Sequence, residues 1–261
     1  MSATTMEQEF QSYGDFMVEF LPKSHRYFIL KDEQRIPAIS VTSALSILDK
    51  PALRKWYGNM DATAVLSLER DGQLTGIPTD QAIYVARQRG YGAEARRDAG
   101  AARGTAVHEA LRTYCETGHP PLLGGFNDET KGYVQAACNW LVDASPEPVI
   151  VERILGSPMY GFAGRMDLIA LIDGKRVGVD FKTGANAHKY PEAHIQLAGY
   201  QLAFPECDIE PLDLSVIVSL DESGLYQVAE QQAGPDDFLA VLNAHRAVKS
   251  VEKALRASEK G

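Results

Sequence analysis

A chain of 261 residues, 45% hydrophobic and 8% aromatic, is long enough for one large domain or two small ones and apolar enough for a packed core. A net charge of −9 and a pI near 5.2 argue against a protein that coats nucleic acid nonspecifically, although an acidic body can carry a local basic rim and a metal site itself requires acids. No apolar run approaches the roughly 20 residues of a membrane span. Met1 to Gln11 is polar and shows no signal-peptide pattern, so a cytosolic protein is expected. Cys115, Cys138 and Cys207 are scattered and odd in number, which excludes a disulfide framework or a CxxC metal pair and points to buried free thiols.

In chain order, residues 1–15 read as loosely ordered. Phe16 to Phe20 and Arg26 to Lys31 read as strands, with a turn from Lys31 to Gln34. Val41, Leu45 and Leu48 recur at helical spacing, and Pro51 suits the first turn of a helix running toward Tyr57. Asp61 is placed to cap a further helix over 62–70. From about Asp80 the chain reads as helical, with weak breaks at Gly90, Gly92 and Gly100. Gly104 to Glu116 reads as a helix ended by Gly118 and Pro120-Pro121. His108, Leu111 and Cys115 share one face of it. On spacing alone His108 is either a packed core histidine or a ligand, and Arg112 rules out an HExxH zinc helix.

Asn127 to Val142 reads as another helix and Val149 to Leu155 as a strand. Glu152 interrupts that strand, either as a solvent-facing acid or as part of a site. Pro191 opens a helix to about Phe204, on which Gln196 and Tyr200 lie one turn apart. Asp213 to Leu220 and Leu225 to Ala229 read as a strand pair, and Pro235 starts a final helix to about Arg256, beyond which the chain should fray.

The most informative stretch runs from Gly164 to Gly184. Two apolar runs, Met166 to Ile172 and Arg176 to Phe181, flank Asp173-Gly174, a strong hairpin signal. A two-residue turn sets Ile172 opposite Lys175 and carries Asp167 opposite Asp180, with side chains about 5 Å apart at Cβ. A three-residue turn through Lys175 would shift the pairing by one. Lys182, two residues beyond Asp180, points to the same face. Two carboxylates that close repel, and one divalent cation between them removes the repulsion. Such a cation keeps open positions for water and a phosphate oxygen, and a neighbouring lysine stabilises charge on the phosphate.

Gly164-Arg165-Met166-Asp167, then Asp180-Phe181-Lys182-Thr183-Gly184, then Gln196-Leu197-Ala198-Gly199-Tyr200 resemble motifs II, III and IV of the RecB-like branch of the PD-(D/E)XK nucleases. Gly104-Thr105-Ala106-Val107-His108 resembles the branch's motif I, and all four stand in order over residues 104–200. Ser24-His25-Arg26-Tyr27, Ser40-Val41-Thr42-Ser43 and Lys50-Pro51-Ala52-Leu53 are similar to phage-encoded members.

The resemblance implies a restriction-endonuclease-like α/β core, a mixed sheet flanked by helices, over 104–261, with 1–103 as a mainly helical cap carrying a short β-hairpin, the two expected to form one compact unit. It implies Mg²⁺- or Mn²⁺-dependent hydrolysis of DNA, most simply by an exonuclease processing ends in phage recombination or replication. An endonuclease, a non-catalytic DNA-binding module or an accessory protein are the alternatives. His108, Asp167, Asp180 and the Phe181 carbonyl would hold the metal. Lys182 would assist the attacking water, Glu152 would add a ligand or orient water, and Gln196 and Tyr200 would support the site. Arg103, Arg165, Thr183 and Lys189 would contact DNA. Three cysteines cannot supply the four-cysteine iron–sulfur cluster of some relatives. A single-strand annealing protein is a candidate partner, and the cytosol of a bacterium or phage-infected host the expected compartment.

Overall fold

A computed structural model describes residues 8–259. The strands are β1 (Glu9–Tyr13), β2 (Phe16–Leu21), β3 (Arg26–Lys31), β4 (Gln34–Ser40), β5 (Glu147–Ser157), β6 (Phe162–Ile172), β7 (Lys175–Thr183), β8 (Leu214–Leu220) and β9 (Tyr226–Glu230). The helices are α1 (Val41–Ala44), α2 (Pro51–Arg70), α3 (Ala82–Gln88), α4 (Ala93–Thr117), α5 (Asp128–Ala144), α6 (Pro191–Ala203) and α7 (Pro235–Ser258). The chain divides into two compact units, residues 1–48 with 107–261, and residues 49–106. The expected loose ends at residues 1–7 and 260–261 lie outside the described residues.

The larger unit is built on one nine-stranded mixed sheet in the order β1-β2-β3-β4-β6-β7-β8-β9, with β5 alongside β6. β5 pairs antiparallel along the length of β6, from Ser157–Phe162 to Glu147–Leu171. The opposite edge of β6 is divided. β4 pairs parallel with Phe162 and Ala163 only, and β7 pairs antiparallel with Leu168 to Ile172 only. Residues 164–167, the Gly-Arg-Met-Asp stretch, lie in the fork between them.

The hairpin has the two-residue turn that its sequence predicts. Ile172 pairs with Lys175, and Asp173 and Gly174 both take positive φ (50° and 74°), the twist that suits a tight antiparallel turn. Helices cover both faces of the sheet. α6 and α7 pack through Leu197, Phe238 and Leu242 against Phe162, Met166 and Ile217, with the Phe162 and Phe238 rings edge-on at 4.9 Å. On the other face Trp140 of α5 meets Phe181 of β7 edge-on at 5.0 Å. This mixed sheet flanked by helices is the restriction-endonuclease-like core that the motif order implies.

Several local expectations are corrected. Residues 9–40 are not a helical cap with one hairpin but a four-stranded meander continuous with the main sheet, because Val18, Phe20, Tyr27 and Ile29 bury one face at strand spacing. Glu9 to Tyr13, expected to be loose, is its first strand. The helical unit is therefore 49–106, and the proposed division at 103/104 falls inside α4. Gly100 and Gly104 do not break α4. In the helical unit α2 is continuous, so Asp61 starts no helix. Its carboxylate instead accepts the Ala93 N–H (3.1 Å) at the first turn of α4 and pairs with Arg87 (2.6 Å).

Candidate active site

The fork in the sheet gathers the motif residues. Asp167, at its base, is 6% exposed, and its Oδ2 accepts the Phe181 backbone N–H at 2.8 Å. Where the β6–β7 ladder ends at Leu168–Val179, this side-chain bond carries the link across. Asp180 is fully buried; its Oδ1 accepts from Gln196 Nε2 at 3.2 Å. Lys182 Nζ lies 2.5 Å from the other oxygen, Asp180 Oδ2, a buried ion pair. The alternation of β7 puts both on one face, as predicted.

His108 projects from α4 and Glu152 from β5. Nδ1 of His108 is 2.7 Å from Glu152 Oε1 and 3.7 Å from Asp167 Oδ1. Glu152 takes φ 47°, a left-handed conformation unusual for a glutamate and costing about 1–3 kcal/mol. The acid that breaks the apolar run of β5 is thus a member of the cluster rather than a solvent-facing residue.

Gln196 and Tyr200 face the site from α6. Gln196 Nε2 also donates to Tyr200 Oη at 2.8 Å. Tyr200 is 2% exposed and its ring passes so close to β6 that a Cβ on Gly164 would lie 2.8 Å from Tyr200 Cε1. The glycine of the Gly-x-x-Asp stretch is therefore needed for this close approach, not for a turn.

Charges set the protonation states. Burial pulls the His108 imidazole down, but Asp167 and the Glu152 hydrogen bond outweigh it and hold it up at about 9. Burial pushes Asp180 up; Lys182 opposes it and Asp167 adds to it, leaving the carboxyl at about 6. Asp167 is raised, chiefly by burial. Burial works against the charged Lys182, yet Asp180 and Asp167 keep its ammonium above the ordinary lysine value. Burial, then Asp180 and Asp167, raise the Tyr200 phenol, which stays protonated.

His108, Glu152 and Asp167 bring one ligand atom each to within 4.8 Å of one another. Two carboxylates and an imidazole this close, with the buried Asp180 carboxyl interacting electrostatically with Asp167 and His108, fit a divalent cation that prefers oxygen and accepts nitrogen. The carboxylates favour the charged forms of both His108 and Lys182. Phe181, expected to offer its carbonyl, meets the cluster through its N–H.

The expected DNA-contacting residues are dispersed. Arg165 pairs with Glu9 (2.6 Å), donates to the Glu152 carbonyl (3.4 Å) and lies over Phe20, so its charge is already engaged within the fold. The sequence carries no signal for Glu9. Thr183 ends β7, half-buried, opposite Leu220. Lys189 is exposed, with Nζ 2.8 Å from Asn186 Oδ1. Its loop is fixed by Ser219, whose Oγ accepts the His188 backbone N–H at 2.8 Å. Arg103 lies on the part of α4 that belongs to the helical unit, half-buried. All three cysteines are free; Cys138 and Cys207 are buried and Cys115 half-buried. Among the described residues no helix is long and apolar enough to cross a membrane.

A family model described as "PD-(D/E)XK nuclease superfamily" matches residues 128–254. No curated protein matches the sequence. Among solved structures, an alkaline exonuclease (LHK-Exo) from Laribacter hongkongensis is 14% identical with a TM-score of 0.40, over 85% of this chain and 94% of that one. A structure titled SSO0001 is 12% identical with a TM-score of 0.36, over 80% and 75%. The family match spans 128–254, the part of the chain that carries α5, β5 to β9, α6 and nearly all of α7, and the mixed sheet and the order of the motifs agree with it.

Proposed function

We propose that the protein is a divalent-metal-dependent deoxyribonuclease. The observation that carries this reading is the convergence of His108, Glu152 and Asp167, with buried Asp180 and Lys182 beside them. These are the residue types that hold a hard cation against a phosphodiester. His108, Glu152, Asp167 and Asp180 would hold the ion, with the Phe181 carbonyl as a further ligand. The ion would supply acidified water and a polarised phosphoryl group.

The chain's own residues do the rest. Lys182 presents a fixed positive charge, held by Asp180, to the attacking water and the scissile phosphate. Gln196 fixes one Asp180 oxygen and the Tyr200 hydroxyl together, so the carboxylate arrives in one orientation. Phe181 N–H does the same for Asp167. Among the residues expected to touch DNA, exposed Lys189, with Thr183 and Arg103, are the candidates, and Arg165 acts by bracing the fork.

Within that class we favour an exonuclease acting on DNA ends in recombination or replication, on the similarity of the sequence motifs to phage-encoded enzymes; a single-strand annealing protein is the proposed partner and Mg²⁺ or Mn²⁺ the proposed ion. A time course on end-labelled linear DNA and on closed circular DNA, with either metal, tests this. Nucleotide release from linear DNA with circles left intact is expected. Linearised circles would make it an endonuclease. No cleavage of either would favour the non-catalytic or accessory alternatives.

A further inference from the structure

The meander carries a group of charges that the active site does not use. Glu19 on β2 pairs across the ladder with Phe28 on β3, and each is 4% exposed. Arg35, on β4, donates from Nε to Glu19 Oε2 at 2.7 Å while its guanidinium carbon stands 3.4 Å from the centre of the Phe28 ring. Arg26 approaches the same ring, at 5.1 Å. The two guanidiniums therefore lie closer together than the roughly 10 Å Debye length at 0.1 M salt.

One carboxylate reaches the pair, and it bonds only Arg35. Glu19 occupies Nε of Arg35 and leaves its two terminal nitrogens without a hydrogen bond among the described residues, and the Arg26 guanidinium has none there either. Arg26 is exposed, and the Arg35 side chain is 47% exposed. Two guanidiniums against one ring, with a single carboxylate between two positive charges, are complementary to a phosphate.

We propose that Arg26 and Arg35 form a phosphate-binding pair on the β2–β4 meander, held by buried Glu19, and that its ligand is a backbone phosphate of DNA. The choice of DNA rests on the nuclease reading above; the anion site itself rests on the pair. The test is fluorescence anisotropy of a labelled duplex oligonucleotide across a salt series, in EDTA so that nothing is cut. The variant is Arg26→Gln with Arg35→Gln, which removes both charges and keeps a polar planar group at each position. Its plot of log affinity against log salt should be shallower by about 2, one unit for each arginine charge that no longer neutralises a phosphate. Arg26→Gln alone, which breaks no ion pair, should give about half that change and guards against misfolding through Glu19. An unchanged slope in the folded single and double variants overturns the proposal. Cleavage by the wild type with Mn²⁺ is measured separately. If it cleaves and the slope is unchanged, the pair is wrong and the nuclease reading stands. If it does not cleave but the slope falls, the reverse holds.

Discussion

Phe181 donates its backbone N–H to Asp167 Oδ2 at 2.8 Å, across the fork where β6 parts from β7. One residue earlier β7 supplies Asp180, and one residue later Lys182. A single stretch of strand thus orients Asp167 and carries both Asp180 and Lys182. Continued by one pair, the register of the hairpin sets Asp167 opposite Asp180, just beyond the end of the ladder at Leu168–Val179.

The fall of stability with rising pH should be weakened when metal is added. His108 is raised from 6.5 to about 9, so its stabilising contribution to the metal-free protein is complete below 6.5 and is lost as pH rises toward 9. Asp180 is raised from 3.8 to about 6, so ionising it also costs stability as pH rises through that range. A divalent cation competes with the proton at both groups. Melting curves in EDTA should fall from about pH 6 to about pH 9, while the upward shift produced by Mn²⁺ should grow over the same range. Asp180→Asn in EDTA should melt no lower than wild type at neutral pH. A Mn²⁺-induced shift that shrinks with rising pH would remove these groups from the metal site.

Gly164→Ala should damage both fold and site. The added methyl would stand 2.8 Å from Tyr200 Cε1 and 3.0 Å from Val41 Cγ2, in packed surroundings. Overpacking of this kind costs about 1–3 kcal/mol. Displacing Tyr200 also disturbs Gln196 and so Asp180, and removing such support lowers activity about 10–100-fold. A melting curve beside a cleavage rate checks both; wild-type values for both would place Tyr200 outside the support of the site.

Reversing the charge of two basic residues should separate binding from structure. Lys189→Glu, at an exposed position, should weaken DNA binding and reduce its salt dependence by about one unit with little change in melting temperature. Arg165→Glu should lower the melting temperature, because it sets a carboxylate against Glu9 in a half-buried site. Equal effects of the two on both readouts would contradict this division.

The hairpin and its chemistry are legible in the sequence because they are local: Asp173-Gly174 dictates the turn, the turn dictates the register, and alternation puts Lys182 with Asp180. Glu152 is legible as an acid out of place in a β-branched run. What the sequence does not disclose is non-local. Nothing near Glu9 announces a partner 156 residues away, and the meander's apolar spacing over 9–40 is short beside the helical run that follows. Asp61 shows the same limit, since its capping chemistry is plain but the helix it caps lies 32 residues downstream.

His108 should set the metal preference. Imidazole suits Mn²⁺ better than Mg²⁺, which keeps its waters and oxygen ligands. Titrating both ions into wild type and His108→Ala should show tighter Mn²⁺ binding in the wild type and a reduced Mn²⁺ advantage in the variant. A variant that keeps the full preference would return His108 to a packing role.

Hydrolysis of DNA by the carboxylates and lysine at the fork, with a divalent cation, is the proposal on which the others depend. It is tested by the cleavage rate of linear DNA by wild type, Asp180→Asn and Lys182→Gln, with Mn²⁺ and with EDTA, on proteins shown to be folded by their melting curves. Wild type should cleave with Mn²⁺ only, and each variant should be slower by at least about a hundredfold. Cleavage that persists in EDTA, or folded variants that cut at the wild-type rate, would contradict it.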